Sequence, residues 1–221
     1  MRDFKRITLL CGHYGSGKTN VAVNMALMLK KKHDNVAIAD LDIVNPYFRT
    51  KDSSEIFERN DIRLIASNFA NSNVDIPALP QDMYAITDDK QLSVIIDVGG
   101  DDRGALALGR LAPAIMEENN YEMLMVINCF RPLTRDAVST MEVMREIEYA
   151  SHMKFTGIVN NSNLGVATTP QDVISSVDYA NEVAKLSKLP VVCTTVEENI
   201  YNDLCDKIEN LLPLSLQAKP V

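Results

Sequence analysis

The chain has 221 residues, of which 46% are apolar and 24% charged, and it carries a formal net charge of −8. This length and composition are typical of one globular domain with a sizeable core, so we expect residues 1–221 to form a single domain. The acidic balance disfavours general binding to nucleic acid or to an anionic membrane surface, and no apolar run approaches the length of a membrane span. We therefore expect a cytoplasmic protein.

The first predicted elements enclose a glycine-rich loop. Residues 7–11 are typical of a buried strand, and residues 18–29 of a helix that is apolar around most of its circumference. Between them, residues 12–19 match G-x-x-x-x-G-K-[ST] without a mismatch. The order of strand, loop and helix is the one that a phosphate-binding loop requires.

The residue types in this loop explain why it suits a nucleotide. Glycines allow backbone N–H groups to approach an anion without a Cβ in the way. Lys18 would reach the β- and γ-phosphates, the Thr19 hydroxyl would hold Mg²⁺, and the helix N-terminus would add partial positive charge. We expect the nucleotide to be bound by Gly12, Gly15, Ser16, Gly17, Lys18, Thr19 and Asn20.

Two later strands end in carboxylates. The strand predicted at 36–42 ends in Asp40 and Asp42, and the strand at 92–97 ends in Asp97. Carboxylates at the ends of parallel strands face the crevice where ligands bind. Asp97 is placed to act on Mg²⁺ as a Walker B carboxylate, and the N–H of Gly100 could approach the terminal phosphate.

The remaining pattern alternates strands with helices. Strands are predicted at 62–66, 122–128, 154–160 and 191–194, and helices at 105–118, 133–147, 170–185 and 197–211, with a long surface connection at 68–81. Thr169, Pro170 and Asp172 are typical of a capped helix start. The pattern predicts an α/β fold, namely a three-layer, doubly wound, mostly parallel sheet of about seven strands.

Together the motifs resemble those of the MinD/ParA/CobQ-type P-loop ATPases of the SIMIBI class, which include the nitrogenase iron protein and metal-centre insertion ATPases. The resemblance spans nearly the whole chain through GHYGSGKTNVAVNMALML, VAIADLDIVNP, VIIDVGGDD and a strand-end NN. It implies that Asp42 positions the attacking water, that Asp40 lies beside the Mg²⁺ shell, that Asp101 responds to the γ-phosphate, and that Asn160 reads the base.

Two positions refine what the resemblance implies. Guanine-specific relatives place an aspartate three residues after the base-reading asparagine, where this chain has Asn163, so ATP is favoured over GTP. Members with a deviant loop carry a lysine after the first glycine, and that lysine reaches the phosphates of a partner subunit. His13 stands there, and a mostly neutral imidazole does not replace that charge, which argues against a homodimer activated in trans.

A nucleotide-operated switch is the function that these features favour. Mg²⁺-ATP would order the loops after Asp42 and Asp97, slow hydrolysis using Lys18, Asp42 and Asp101 would release them, and an unidentified protein partner would sense the difference. Maturation of a metalloenzyme is one family-level option. The alternatives are an ATP-dependent small-molecule synthetase or kinase on the same scaffold, and a nucleotide-binding protein with negligible turnover.

The four cysteines form no C-x-x-C pair, which disfavours a zinc site or a disulfide framework. Core or reduced thiols are therefore the default interpretation. Because Cys11, Cys129 and Cys193 fall near strand ends on the expected nucleotide side, a metal or redox role for them stays open.

Overall fold

The computed structural model describes residues 4–41, 54–66, 81–100 and 102–216. Within these ranges eight strands form one sheet: β1 (Ile7–Cys11), β2 (Val36–Leu41), β3 (Arg63–Ala66), β4 (Ser93–Val98), β5 (Tyr121–Ile127), β6 (Gly157–Asn160), β7 (Val191–Glu197) and β8 (Leu211–Leu214). The helices are α1 (Lys18–Lys30), α2 (Ser54–Arg59), α3 (Ala85–Asp88), α4 (Asp102–Glu118), α5 (Ala137–Ser151) and α6 (Pro170–Ser187). Short 3₁₀ segments lie at Gln81–Tyr84, Pro132–Thr134, Gly165–Ala167 and Glu198–Asp203.

The sheet order is β3-β2-β4-β1-β5-β6-β7-β8, and every neighbouring pair is parallel. The chain runs from β1 outward to β3, returns to place β4 between β2 and β1, and then continues from β5 to the other edge. The carboxyl ends of β1, β2 and β4 therefore adjoin at the point where the strand order reverses, which is where open α/β sheets bind ligands.

Both faces of the sheet are buried, as the long apolar runs of the strands predict. On one face, Leu10, Ile38 and Ile95 pack with α1 in one core cluster. On the other face, Leu9 and Ile96 belong to a second cluster that includes apolar residues of α4, α5 and α6. The three-layer, doubly wound α/β architecture is thus confirmed.

The helix predicted at 197–211 is wrong. That segment instead contains the 3₁₀ turn Glu198–Asp203, and it leads into β8, which adds the eighth strand to the sheet. Leu204 packs on Val173 and Val196 and is buried, so the segment contributes to the core without forming a continuous helix. Pro213 lacks an N–H, and a proline is tolerated in β8 because this strand lies at the edge of the sheet.

The start of α6 follows the predicted capping pattern. Thr169 accepts a hydrogen bond from the N–H of Asp172, and the Asp172 carboxylate accepts one from the N–H of Thr169. Other predictions fall on residues outside the described ranges, namely Asp42, Asp101 and nearly all of the connection at 68–81. No helix in the described ranges is long and apolar enough to cross a membrane.

A largely buried ion pair joins elements at the amino ends of the strands. Arg6, just before β1, pairs with Glu118 at the end of α4, and Lys90 donates to the same carboxylate. The remaining Arg6 donors bond to three main-chain carbonyls, those of Ile86, Asp89 and Leu92. This cluster joins β1, α3 and α4 at the amino ends of the strands, opposite the carboxyl ends where the strand order reverses.

Candidate nucleotide-binding site

The loop between β1 and α1 has the backbone of an anion cradle. Gly15 and Gly17 adopt φ values of 78° and 85°, which glycine tolerates best. Gly17 is the N-cap of α1 and supplies no side-chain cap, and the first turn holds no acidic residue. This end of α1 therefore carries no negative side chain in its first turn, and a helix N-terminus favours anions.

Two side chains of the loop fit a bound phosphate. Lys18 is only 6% exposed, and its ammonium donates to the carbonyl of His13 at 3.2 Å, so it folds back over the loop. The buried Ser16 hydroxyl has no hydrogen-bond partner in the described part of the chain. It lies beside Gly12, where a Cβ would be 3.2 Å from Ser16 Oγ. An unpaired buried hydroxyl costs free energy, and a phosphate oxygen nearby would relieve that cost.

The predicted magnesium ligands meet at the carboxyl end of the sheet. Thr19 Oγ1 donates a 2.6 Å hydrogen bond to Asp97 Oδ2. Asp40 is the direct register partner of Asp97 on the neighbouring strand, and neighbouring strands lie about 4.8 Å apart. Both carboxylates are buried, and the period of two places them on the α1 face with Ile38 and Ile95. A hydroxyl with two carboxylates is an oxygen donor set that suits Mg²⁺.

The loop after β4 touches the phosphate loop. A Cβ on Gly100 would lie 2.6 Å from the Tyr14 nitrogen and 3.0 Å from Lys18 Nζ. The first distance leaves no room for a side chain, so glycine is required by this close approach. The loop that follows Asp97 therefore lies directly beside Tyr14 and the Lys18 ammonium.

Asn160 does not lie at the phosphate loop. Its side chain is fully buried, its amide nitrogen donates to Ser176 Oγ of α6 at 2.9 Å, and its oxygen accepts from the Ser162 N–H. Ile158, two residues earlier, packs in the cluster under α4, α5 and α6, so Asn160 is on the face opposite α1. Base recognition by Asn160 stays a prediction that this packing does not favour.

The neighbouring Asn161 contacts the phosphate loop and was missed by the sequence pattern. Its amide nitrogen donates to the Ser16 carbonyl at 2.6 Å, and its oxygen accepts from Thr195 Oγ1 of β7 at 2.5 Å. A Cβ on Gly17 would overlap the same amide nitrogen. The alternation of side chains along a strand distinguishes the two asparagines. Val159 faces α1, and a residue two positions later points to the same side, so Asn161 and not Asn160 is expected on the α1 face.

The cysteines near the strand ends are not brought together as a set. Cys11 packs in the cluster under α4, α5 and α6, whereas Cys193 packs in the α1 cluster on the opposite face. Burial raises the pKa of the Cys11 thiol, which keeps it protonated and poorly reactive. Among the described residues, no group of three or more His, Cys, Asp or Glu side chains could hold a metal ion.

The fold and the loop after β1 define the class: the chain has the α/β fold of a P-loop nucleotide-binding protein. The cell division protein FtsY from Thermotoga maritima has a similar structure, with a TM-score of 0.59 and 20% sequence identity, over 89% of this chain and 63% of that chain. At that identity the likeness establishes the fold.

No protein-family model matches the chain. It is similar to the iron-sulfur cluster carrier protein of Pyrococcus furiosus, with 26% identity over 214 residues, which is 95% of this chain. The protein of the same name from Pyrococcus abyssi is 24% identical over 214 residues. The chain spans 66% of the length of each of these two relatives.

Proposed function

We propose that the chain binds Mg²⁺-ATP, hydrolyses it slowly and acts as a nucleotide-operated switch on a protein partner, as the MinD/ParA/CobQ-type ATPases do. The observation that carries the proposal is the meeting of Thr19 with Asp97 at 2.6 Å, with Asp40 in register beside them. Lys18 and the first N–H groups of α1 would bind the phosphates. Bound Mg²⁺ would neutralise phosphate charge and stabilise the transition state of phosphoryl transfer.

Within this proposal each residue has a distinct role. Thr19 and Asp97 hold the metal, and Asp40 lies beside its shell. Asp42 and Asp101, outside the described residues, orient the attacking water and respond to the γ-phosphate. Gly100 against Lys18 supports the switch, because binding at the lysine must alter the loop that contacts it.

A protein partner is supported by the apolar side chains that surround the nucleotide edge. The loops after β1, β5 and β6 and the first turns of α4 and α5 expose large apolar residues to solvent. These are Tyr14, Leu106, Leu133, Val138, Leu164 and Val166. Exposed apolar side chains on these loops and helix turns would offer contacts to a protein partner. They favour a macromolecular partner over a small acceptor molecule.

The choice of ATP rests on the residues downstream of the strand-end asparagines. Recognition of guanine needs a carboxylate at a fixed spacing after the base-reading residue. Three residues beyond Asn160 is Asn163, and three beyond Asn161 is Leu164. Neither side chain can accept the paired hydrogen bonds that guanine offers.

Metalloenzyme maturation is the process that we propose for the switch. Both curated relatives are named as iron-sulfur cluster carriers. The four cysteines, all among the described residues, form no disulfide, which suits the reducing cytoplasm that we propose as its location. The partner would then be a protein that carries or receives the metal centre.

Multi-turnover phosphate release from ATP tests the proposal, with Lys18→Ala as the inactive control. Slow release that a macromolecular fraction of cell extract stimulates is expected, and Asp42→Ala should bind ATP yet hydrolyse it poorly. Release that requires a small metabolite would point to the synthetase or kinase. Absence of release under all conditions would point to a binding protein without turnover, and either result would contradict the switch.

A further inference from the structure

Arg131, in the loop between β5 and α5, lies against the middle of the phosphate loop. A Cβ on Gly15 would be 3.5 Å from Arg131 Nε and 3.8 Å from Arg131 Cζ. These are ordinary van der Waals distances, so the guanidinium lies beside the glycine backbone. Since β5 flanks β1 on the side away from β4, Arg131 approaches the loop opposite to Gly100.

Among the described residues, no neighbour neutralises the charge of Arg131. Its guanidinium makes no hydrogen bond or ion pair within residues 4–41, 54–66, 81–100 and 102–216. Arg135, four residues later, instead pairs with Asp136 at 3.4 Å. An exposed cation that is held beside an anion cradle without a counter-charge matches an anionic ligand.

The backbone that carries Arg131 is fixed before any ligand binds. The Arg131 N–H donates to the carbonyl of Asn128 at 3.1 Å, and the Thr134 hydroxyl donates to the same oxygen at 2.7 Å. The residue after Asn128, Cys129, donates its N–H to Ser162 Oγ at 3.1 Å. This bond ties the loop to the segment that holds the phosphate loop through Asn161. Little conformational entropy of this backbone is lost when a ligand binds.

We propose that Arg131 is a phosphate-binding residue of the same site, contacting oxygens of the nucleotide phosphate chain from the β5 side while Lys18 acts from the β4 side. A guanidinium suits this role because its parallel N–H groups match two phosphate oxygens at once. Both cations would come from one chain, so binding of the triphosphate would not need a second subunit. The inference rests on the proposed function in that the ligand is Mg²⁺-ATP.

Calorimetric titration with Mg²⁺-ATP and Mg²⁺-ADP tests this role in Arg131→Ala, Arg131→Lys and the matched control Arg135→Ala. Loss of a charge-assisted contact predicts a roughly 10- to 100-fold weaker affinity in Arg131→Ala. Arg131→Lys should recover part of the loss, and the loss should shrink as salt is raised. Arg135→Ala should bind like the wild type. Thermal unfolding without nucleotide should be unchanged, since Arg131 is exposed.

Three results would overturn the assignment. One is an affinity of Arg131→Ala within about twofold of the Arg135→Ala control. Another is a loss that neither lysine nor salt affects, which indicates packing and not charge. A third is a weaker affinity that merely accompanies a lower unfolding temperature. If Lys18→Ala loses binding while Arg131→Ala keeps it, the proposed function stands and only this inference fails, whereas a wild type that binds no nucleotide contradicts the function itself.

Discussion

The Thr19 hydroxyl lies 2.6 Å from Asp97 Oδ2, so the first turn of α1 is joined to the end of β4 by a direct hydrogen bond. The two residues are 78 positions apart in the chain, and the parallel sheet brings them to one edge. Asp40 arrives at the same edge from β2. The convergence of these oxygens is the observation from which we propose a magnesium-bound phosphate at this site.

Changes at this junction should remove the magnesium dependence of nucleotide binding. In Asp97→Asn we expect the enhancement of ATP affinity by Mg²⁺ to fall about tenfold or more, because a neutral amide is a poorer ligand environment for the cation. Thr19→Ser keeps the hydroxyl and should retain most of the enhancement. Titration of each variant with ATP, once in Mg²⁺ and once in a chelator, measures this enhancement of affinity. An enhancement in Asp97→Asn equal to that of the wild type would contradict the metal site.

Asn161 should matter for binding and Asn160 mainly for stability. Removing the Asn161 amide takes a donor from the Ser16 carbonyl and the shorter of two acceptors from the Thr195 hydroxyl, so Asn161→Ala should weaken ATP binding by roughly tenfold. Asn160→Ala removes a donor to Ser176 Oγ and the acceptor of the Ser162 N–H, and it should lower the free energy of unfolding by about 1–3 kcal/mol. Nucleotide titration and thermal unfolding of both variants measure these effects. An altered preference between ATP and GTP in Asn160→Ala alone would instead restore its base-reading role.

Gly100 should tolerate no side chain. The added methyl group of Gly100→Ala would meet the Tyr14 nitrogen at 2.6 Å, so one loop must shift and ATP hydrolysis should fall at least tenfold. Gly109→Ala, within α4, is the matched control, because its Cβ would come no closer than 3.5 Å to its nearest neighbour, the Ala150 carbonyl. Single-turnover hydrolysis compares the two. Equal rates in both variants would show that contact between the loops is unimportant for turnover.

The ion pair between Arg6 and Glu118, at the amino ends of the strands, should stabilise the fold in a pH-dependent way. The hydrogen bond from Arg6 lowers the pKa of Glu118 below its ordinary value of 4.5. A lowered pKa in the folded state stabilises the fold above pH 4.5, and this stabilisation is lost as the pH falls through the folded pKa. Glu118→Gln should therefore cost about 1–2 kcal/mol at pH 7 and progressively less below pH 4.5.

Chemical denaturation of Glu118→Gln and of the exposed neighbour Glu117→Gln at pH 7 and pH 3.5 measures this difference. Glu117→Gln should match the wild type at both values. A loss in Glu118→Gln that is the same at both pH values would show that shape and not charge explains the effect.

The sequence predicted the central half of the fold well for physical reasons. Buried parallel strands are near-continuous apolar runs, and β1, β2 and β4 have this pattern. Once parallel pairing is assumed, their carboxyl ends must share an edge, so the approach of Thr19 to Asp97 and the pairing of Asp40 with Asp97 are expected. The start of α6 was predicted because its capping interaction is local.

The parts that sequence reasoning missed depend on distant contacts. Leu211–Leu214 contains a proline and comes after a segment whose apolar residues are spaced as in a helix. Only its pairing with β7 makes it a strand. Motif matching cannot choose between two adjacent asparagines, and only the fold shows that Asn161 contacts the phosphate loop. Arg131 belongs to no motif, and its position beside Gly15 arises from the sheet order.

A crystal structure of the protein with Mg²⁺ and a non-hydrolysable ATP analogue tests the proposed site most directly. We predict one metal ion about 2.1 Å from Thr19 Oγ1, with Asp97 in its coordination shell and the β-phosphate inside the loop of residues 12–17. A nucleotide bound elsewhere would contradict the proposed site. So would a metal ion that has neither Thr19 nor Asp97 in its coordination shell.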